Sequence, residues 1–527
     1  MKLPNLATLL ISLVLAACAV YPGSHAEASP IPASTVQIVT TPVPTRQRQL
    51  QPIDTPLPTP SPTPAAIVCG LDSAAPETRY TVNAVLDYPT RRVRVVQHVE
   101  YLNRDSSPLN ELVFNVKPNT EPRLFQLDAA TLTTIGEPLQ TNLARQRLAL
   151  TLPQPLDPDC QIRLSLTFEL AIPPMADRGV ERFQGYLGYS DRQLNLGHWL
   201  PTIALRREGG WISHEPSVIG EQEALGIADW DVHLAVQNSP DNLVAAAPGT
   251  LLENGDTHWR WFLHDARDFS LSLGQDFILN ARQLPDGPLV EVYSFPDALI
   301  ETQTGPINAA AFALDTAVNS LATFANRFGP YIYDRLVIVQ GDFPDGMEFS
   351  GIVFVGGEYF RRFGGPDSYL MLITAHEVSH QWWYNQVGSD QALHPWLDEA
   401  LATYSELVFV EEYYPALKGW WWEFRIDSLA PEGFVDSSVY DFPSRRAYIN
   451  AVYLRGVRML DALRATIGTD AFFAWLRRYA KVGTRQVMEP ASFWSLLTPE
   501  QFDLTAPIRE RYLQQPQIIR LDPASGS

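Results

Sequence analysis

The chain has 527 residues, of which 46% are hydrophobic, 11% aromatic and 19% charged, and its formal net charge is −20. So much apolar side chain excludes a chain that is disordered or fibrous throughout, and the acidic balance excludes the basic footprint of a nucleic-acid binder. The chain is too long for one core, so more than one domain is expected.

Residues 1–18 hold Lys2, an apolar run from Leu6 to Leu15, and the ending Leu15-Ala16-Ala17-Cys18. The run is too short to span a bilayer and reads as a secretory signal. Its L-A-A-C ending resembles a bacterial lipobox. That implies cleavage before Cys18, a lipid on its thiol and amine, and an extracytoplasmic protein anchored to a bacterial cell membrane. A plain signal peptide with an incidental cysteine is the alternative. No other segment reaches eighteen uninterrupted apolar residues.

Residues 19–66 are rich in Pro, Ser and Thr, with prolines at 22, 30, 32, 42, 44, 52, 56, 58, 60, 62 and 64. Such a segment cannot build a core and is expected to be a disordered tether. In polyproline II form it reaches on the order of 100–150 Å. Beyond Cys18 the only cysteines are Cys69 and Cys160. In an exported chain a disulfide between them is the natural reading, and two reduced thiols are the alternative.

Residues 67–286 carry short alternating segments: Tyr80 to Leu86, Arg92 to Val99 in part, Leu112-Phe114-Val116 and Leu148-Leu150-Leu152. These predict an antiparallel β domain. Pro285-Asp286-Gly287-Pro288 punctuates its end. Residues 287–497 form the second expected domain. It has a strand from Leu289 to Phe295, a helix near 306–328, strands near 335–340 and 351–355, and then mostly helices. Leu460, Leu463, Ile467, Phe472, Phe473, Leu476 and Tyr479 have helical spacing, with a break at Gly468. Residues 498–527 are expected to be a tail. The fold class is α+β.

The chemistry concentrates between 376 and 399. His376-Glu377-Val378-Ser379-His380 is followed, after eighteen residues, by Glu399. Histidine is scarce in this chain, at 10 residues in all. On a helix, residues four apart face the same way, so His376 and His380 can share a Zn²⁺. Glu399 supplies a third ligand, and three protein ligands leave the open position of a catalytic site. Glu377 sits where it can reach water at that position. A helix is predicted to start at Pro366-Asp367-Ser368, with Asp367 as N-cap and Gly388 as stop. A second helix starts at Pro395. Asp398 and Glu406 are candidates to orient the histidines, or are ordinary helix charges. Trp382, Trp383, Trp396 and Trp420-Trp421-Trp422 are either core or a hydrophobic subsite.

H-E-V-S-H-Q-W-W, the eighteen-residue spacer and W-L-D-E-A-L-A-T-Y resemble the aminopeptidase N-like gluzincin family of zinc metallopeptidases. Phe328-Gly329-Pro330-Tyr331-Ile332-Tyr333, Gly346-Met347-Glu348-Phe349 and Tyr453-Leu454-Arg455-Gly456 resemble three further segments of that family, in the same order. The resemblance covers roughly residues 75 to 490. It implies a β-rich N-terminal domain and a thermolysin-like catalytic domain of mixed sheet and helices. It also implies one Zn²⁺ per chain, and a substrate-binding segment Gly346-Met347-Glu348 whose Glu348 binds a free amino terminus. Tyr453 is implied to stabilise the transition state, with Tyr448 a weaker candidate.

Two departures stand out. Phe349 replaces the family's usual Asn, and Asp345 sits where Gly is common. The chain also reads as a short form without the family's large C-terminal helical domain, which implies a more open cleft. Three readings follow. The first is removal of N-terminal residues from peptide or protein substrates, with Glu377 as general base. The others are an endopeptidase with an open cleft and an inactive surface lipoprotein that binds peptides. The sequence does not specify the oligomeric state.

Overall fold

A computed structural model describes residues 67–70, 76–121, 123–132, 136–175, 185–303 and 305–518. The expected signal, Cys18 and the tether lie outside these residues. The described residues belong to one compact unit. Among them, no helix is long and apolar enough to cross a membrane.

The first half is β, as its alternation predicts. Thr78–Asp87 pairs antiparallel with Arg92–Leu102, which pairs antiparallel with Cys160–Ala171. Ala228–Gln237 runs parallel to Thr78–Asp87 and completes the centre of a nine-stranded sheet. Every second residue of Thr78–Asp87, from Tyr80 to Leu86, is buried, because side chains alternate across a strand. Leu109–Asn115 and Arg147–Leu156 pair with Leu112 opposite Leu150 and Phe114 opposite Leu148. These apolar faces close a sandwich core with Trp199, Trp230 and Trp261 fully buried.

Short strand Val68–Cys69 pairs with Cys160–Ala171, and a disulfide joins Cys69 to Cys160 across that register. The crosslink closes a separation of 91 residues. On the chain-entropy view a loop of that size stabilises the fold by roughly 4–5 kcal/mol.

The second sheet has five strands in the order Ile278–Gln283, Leu289–Ser294, Arg335–Gly341, Ile352–Gly356, Gly346–Phe349. The three inner strands are parallel and both outer ones antiparallel. Pro285-Asp286-Gly287-Pro288 is therefore a hairpin turn inside this sheet. Residues 278–283, expected to belong with the N-terminal strands, form the sheet's far edge. Helix Ala309–Phe328 covers one face, capped by Asn308 Oδ1 on the Ala311 amide at 3.0 Å.

The first histidine helix runs Tyr369–Ser379, with Ser368 rather than Asp367 at its N-cap position. Past His380 the chain widens into a π-turn over Gln381–Gln386 instead of continuing as an α-helix. The Asn385 amide bonds the His380 carbonyl and the Val387 amide bonds the Trp382 carbonyl. Helix Trp396–Tyr413 follows, then Gly456–Ile467 and Thr469–Gly483, broken at Gly468 with φ +86°. Part of the expected tail is folded. Pro499–Leu504 and Ala506–Tyr512 are helices, and Arg455 bonds the Arg511 carbonyl at 2.7 Å. Trp382, Trp383, Trp396 and Trp421 are buried in the helical core, so these four are core residues. Trp420 and Trp422 are half-buried.

Candidate active site and metal centre

His376 and His380 leave adjacent turns with ring centroids 4.8 Å apart. Each ring has its Nδ1 turned to a carboxylate. Glu406 Oε1 lies 2.9 Å from His376 Nδ1, and Asp398 Oδ1 lies 2.6 Å from His380 Nδ1. Both candidate orienting acids therefore act, one per histidine. A carboxylate on Nδ1 favours its N–H, which leaves Nε2 with a lone pair. The two Nε2 atoms point toward Glu399 Oε2, at 3.3 and 3.7 Å.

The supports are themselves held. Arg425 grips Glu406 with two bonds, at 2.8 and 2.9 Å, and Trp421 Nε1 adds a third at 3.3 Å. Gln391 Nε2 donates to Asp398 at 2.7 Å. His376, His380 and Glu399 place one ligand atom each within 4.8 Å of one another. Oε2 of Glu399 and Oε2 of Glu377 are buried with no hydrogen-bond donor. Buried carboxylate oxygens without a donor are costly, and a dication between two imidazoles relieves that cost. Two nitrogens and one oxygen with an open side fit zinc.

Without the ion, protons fill the same role. Burial disfavours the His376 cation, but Glu399, Glu406 and Glu377 outweigh it and raise the imidazole to about 10. Burial likewise opposes the His380 cation, and Asp398 and Glu399 raise it to about 9. Burial pushes the Glu377 carboxyl up to about 7, against the pull of the two histidines.

The edge strand Gly346–Phe349 forms the cleft wall. Gly346 and Glu348 share its cleft face. A Cβ built on Gly346 would lie 2.0 Å from Glu377 Oε1, so the wall approaches that carboxylate as closely as only glycine allows. Glu348 is 4% exposed, and its Oε1 lies 3.3 Å from Gln391 Nε2. Burial, then Glu221, Asp398, Glu399 and Glu377, hold its carboxyl well above the usual range. Met347 does not join them. Its side chain packs in the core behind the strand with Val339 and Phe354, because alternation turns it away.

Phe349 also turns inward, edge-on to His198 at 4.9 Å, Tyr186 at 6.1 Å and Phe354 at 5.8 Å. Gly197 makes room for it, since a Cβ there would meet the Phe349 ring at 2.6 Å. Gln381 ties the wall to the histidine turn through the Phe349 carbonyl at 3.0 Å and the Gly351 amide at 2.9 Å.

Tyr453 comes from the turn Ile449–Arg455. Its ring lies parallel to the His376 ring at 6.1 Å, and its phenol lies close enough to Glu399 for each to act on the other's protonation. Burial and then Glu399 keep the phenol protonated, well above its ordinary range. Tyr448 stands edge-on behind Tyr453 at 5.5 Å.

Sequence reasoning missed Glu221, which arrives from the β half. Burial, then Glu399 and Glu223, raise its carboxyl to about 8. Gly220, at φ +63°, brings it in. A Cβ at Gly220 would meet Val439 at 2.8 Å and the Tyr448 hydroxyl at 2.9 Å. Only the Gly220-Glu221 pair signals this in sequence, and alone it is uninformative.

Comparison with known proteins agrees with this geometry. Residues 312–510 match the description "Peptidase family M1 domain". Aminopeptidase M1-B of Oryza sativa subsp. japonica is 28% identical over 233 residues, 41% of this chain and 26% of that protein. Endoplasmic reticulum aminopeptidase 1 of Homo sapiens is 27% identical over 280 residues, 50% of this chain and 28% of that protein. The chain thus spans about a quarter of the length of the curated relatives it matches. The solved M1 zinc metallopeptidase from Deinococcus radiodurans superposes with a TM-score of 0.60 at 18% identity, covering 86% of this chain and 97% of that one. That likeness bears on the fold, which is α+β with a β-rich N-terminal half and a largely helical second half. Residues 312–510, which hold His376, His380 and Glu399, thus match a peptidase family M1 domain, and the relatives that share this stretch are named aminopeptidases.

Proposed function

We propose that the protein is a zinc-dependent aminopeptidase that removes N-terminal residues from peptides. One observation carries the exopeptidase part. Glu348, Glu377 and His380 form a second group whose ligand atoms lie within 4.8 Å of one another, sharing His380 with the first. Glu348 and Glu221 bring two carboxyls together at that end of the cleft, and burial and their acidic neighbours hold both above the usual range. A peptide's terminal ammonium favours their ionised form and pairs with it, while an acetylated terminus offers no such charge. The relatives above carry the name aminopeptidase, and a related M1 structure is described as bound to a Tyr-ser-ala substrate.

In this reading His376, His380 and Glu399 hold the zinc, with Asp398 and Glu406 fixing the imidazoles. Bound zinc supplies a Lewis acid that makes water acidic near neutral pH and polarises a carbonyl. Gly346–Phe349 has a free edge, along which an extended peptide can lie as an added strand. Glu377 takes the proton of the attacking water and passes it to the leaving amine. The Tyr453 hydroxyl donates to the oxyanion of the tetrahedral intermediate, a contact whose loss typically costs ~10²–10³ in rate.

The reading extends to location. The export signal, the L-A-A-C ending and the Pro-rich tether support a lipoprotein anchored through Cys18 outside a bacterial cytoplasm. The Cys69–Cys160 disulfide fits an oxidising compartment. Paired fluorogenic peptides, one with a free amine and one acetylated, test the activity. Cleavage of the free peptide alone is expected. Equal cleavage of both would favour an endopeptidase. Palmitate labelling that survives Cys18→Ser would contradict the anchor.

A further inference from the structure

Four aromatic rings form a continuous ladder beside the cleft. Tyr359 stacks on Tyr369 at 5.6 Å, Tyr369 meets Phe424 at 5.2 Å, and Phe424 stacks on Trp420 at 5.1 Å. Tyr369 is 46% exposed and Phe424 38%. Tyr359 and Trp420 are half-buried. One exposed aromatic side chain is ordinary. Four in contact, contributed by three separate segments, make an apolar patch of the kind that binds something. Their rings present broad faces at small conformational cost.

The ladder joins the cleft at its Tyr359 end. The Tyr359 hydroxyl donates to Asp345 at 3.0 Å. Asp345 directly precedes Gly346, whose Cα faces Glu377. Read backward along the wall, the order is Glu348 at the amine end, Gly346 beside the base, then Asp345, then the ladder. A peptide lying along this wall with its amine at Glu348 passes the base and continues toward Tyr359 and Tyr369. The ladder is also fixed to the metal centre's supports. Arg425, next to Phe424, grips the Glu406 that orients His376.

We infer that this ladder is the binding surface for peptide residues beyond the scissile bond, and that it selects extended peptides with apolar or aromatic side chains there. The inference rests on the aminopeptidase reading for the direction of the peptide. At about 3.3 Å per extended residue, the ladder accompanies roughly three to five residues past the cleaved bond. A dipeptide or a simple aminoacyl amide has no group to place on it. The substrate class is therefore oligopeptides rather than single aminoacyl derivatives.

The test compares two free-amine hexapeptides that share their first two residues. One continues with Phe and Leu, the other with Ser and Gly. The full protein should favour the apolar peptide at least about tenfold in kcat/KM. Phe424→Ser and Tyr369→Ser should each bring that ratio toward one. A ratio near one in the unaltered protein, or a ratio that neither variant lowers, would overturn the inference. So would an equal loss on both peptides, since that is what a merely structural role gives. The same peptides, labelled at the C-terminus, are also titrated against Glu377→Gln by fluorescence anisotropy. There the apolar peptide should bind at least about tenfold tighter, and Phe424→Ser on that background should remove the difference. Discriminating binding without turnover in the unaltered protein would sink the hydrolysis reading and leave the ladder standing. Equal binding of both peptides would sink the ladder.

Discussion

Gly346 and Glu377 touch as closely as two residues can without a side chain between them. A single methyl on Gly346 would lie 2.0 Å from the Glu377 carboxylate, so the cleft wall and the proposed base position each other. Gly346→Ala should push the carboxylate off its line while leaving all three zinc ligands in place. The expected result is a fall in kcat on the order of 10²-fold, because misplacing a reacting group by about 1 Å costs about that much. Zinc content by atomic absorption should be unchanged.

The two histidine supports should show in metal affinity. Asp398→Asn and Glu406→Gln each remove the charged acceptor on one Nδ1. Each should weaken zinc binding by about 10–100-fold. Competition with a chromogenic chelator measures this. Glu406→Gln should be the more disruptive to the fold, since it also leaves the Arg425 cation without its buried anionic partner.

Acid should drive the metal off. Without zinc the His376 and His380 pKa values lie near 10 and 9, so at pH 7 both imidazoles carry a proton that zinc must displace. Raising the pH toward 9 removes that competition and lowering it strengthens it. Zinc affinity should therefore rise with pH between 6 and 8, by up to about two decades per pH unit. Calorimetry in buffers of different ionisation enthalpy should find up to about two protons released per zinc at pH 7.

Arg267 predicts a stability loss far from the chemistry. It is 2% exposed and donates to the carbonyls of Tyr384, Asn385, Leu225 and Gln486. It thereby joins the β half to the π-turn that follows His380. Arg267→Met leaves several buried carbonyls unpaired, at about 1–3 kcal/mol each before relaxation. Urea denaturation should show a loss of about 3–5 kcal/mol.

The parts of this protein that sequence makes legible are those set by local periodicity. His376 and His380 are readable because a helix places residues four apart on one face. The strands Thr78–Asp87 and Leu109–Asn115 are readable because buried and exposed residues alternate. What escapes is set by contacts between distant segments. Glu221 reaches the cleft from the β half only because Gly220 packs under Tyr448. The direction of Met347 depends on which face of Gly346–Phe349 meets the core. Phe349, a departure from the family pattern, is explained by Tyr186, Gly197 and His198, more than 150 positions upstream. The π-turn after His380 follows from i-to-i+5 bonds that leave no periodic signature. The turn at 285–288 reads as punctuation in either role, and only strand pairing shows that it lies within a sheet.

Glu377→Gln offers the most direct test of the central claim, that zinc held by His376, His380 and Glu399 works with Glu377 to cleave the N-terminal peptide bond. The measurement is zinc per chain together with turnover of free and acetylated peptides, for the unaltered protein and the variant. The account predicts one zinc per chain in both, cleavage of the free peptide alone by the unaltered protein, and a fall of at least about 10³-fold in the variant. A variant as active as the unaltered protein, or an active protein that holds no zinc, would contradict it.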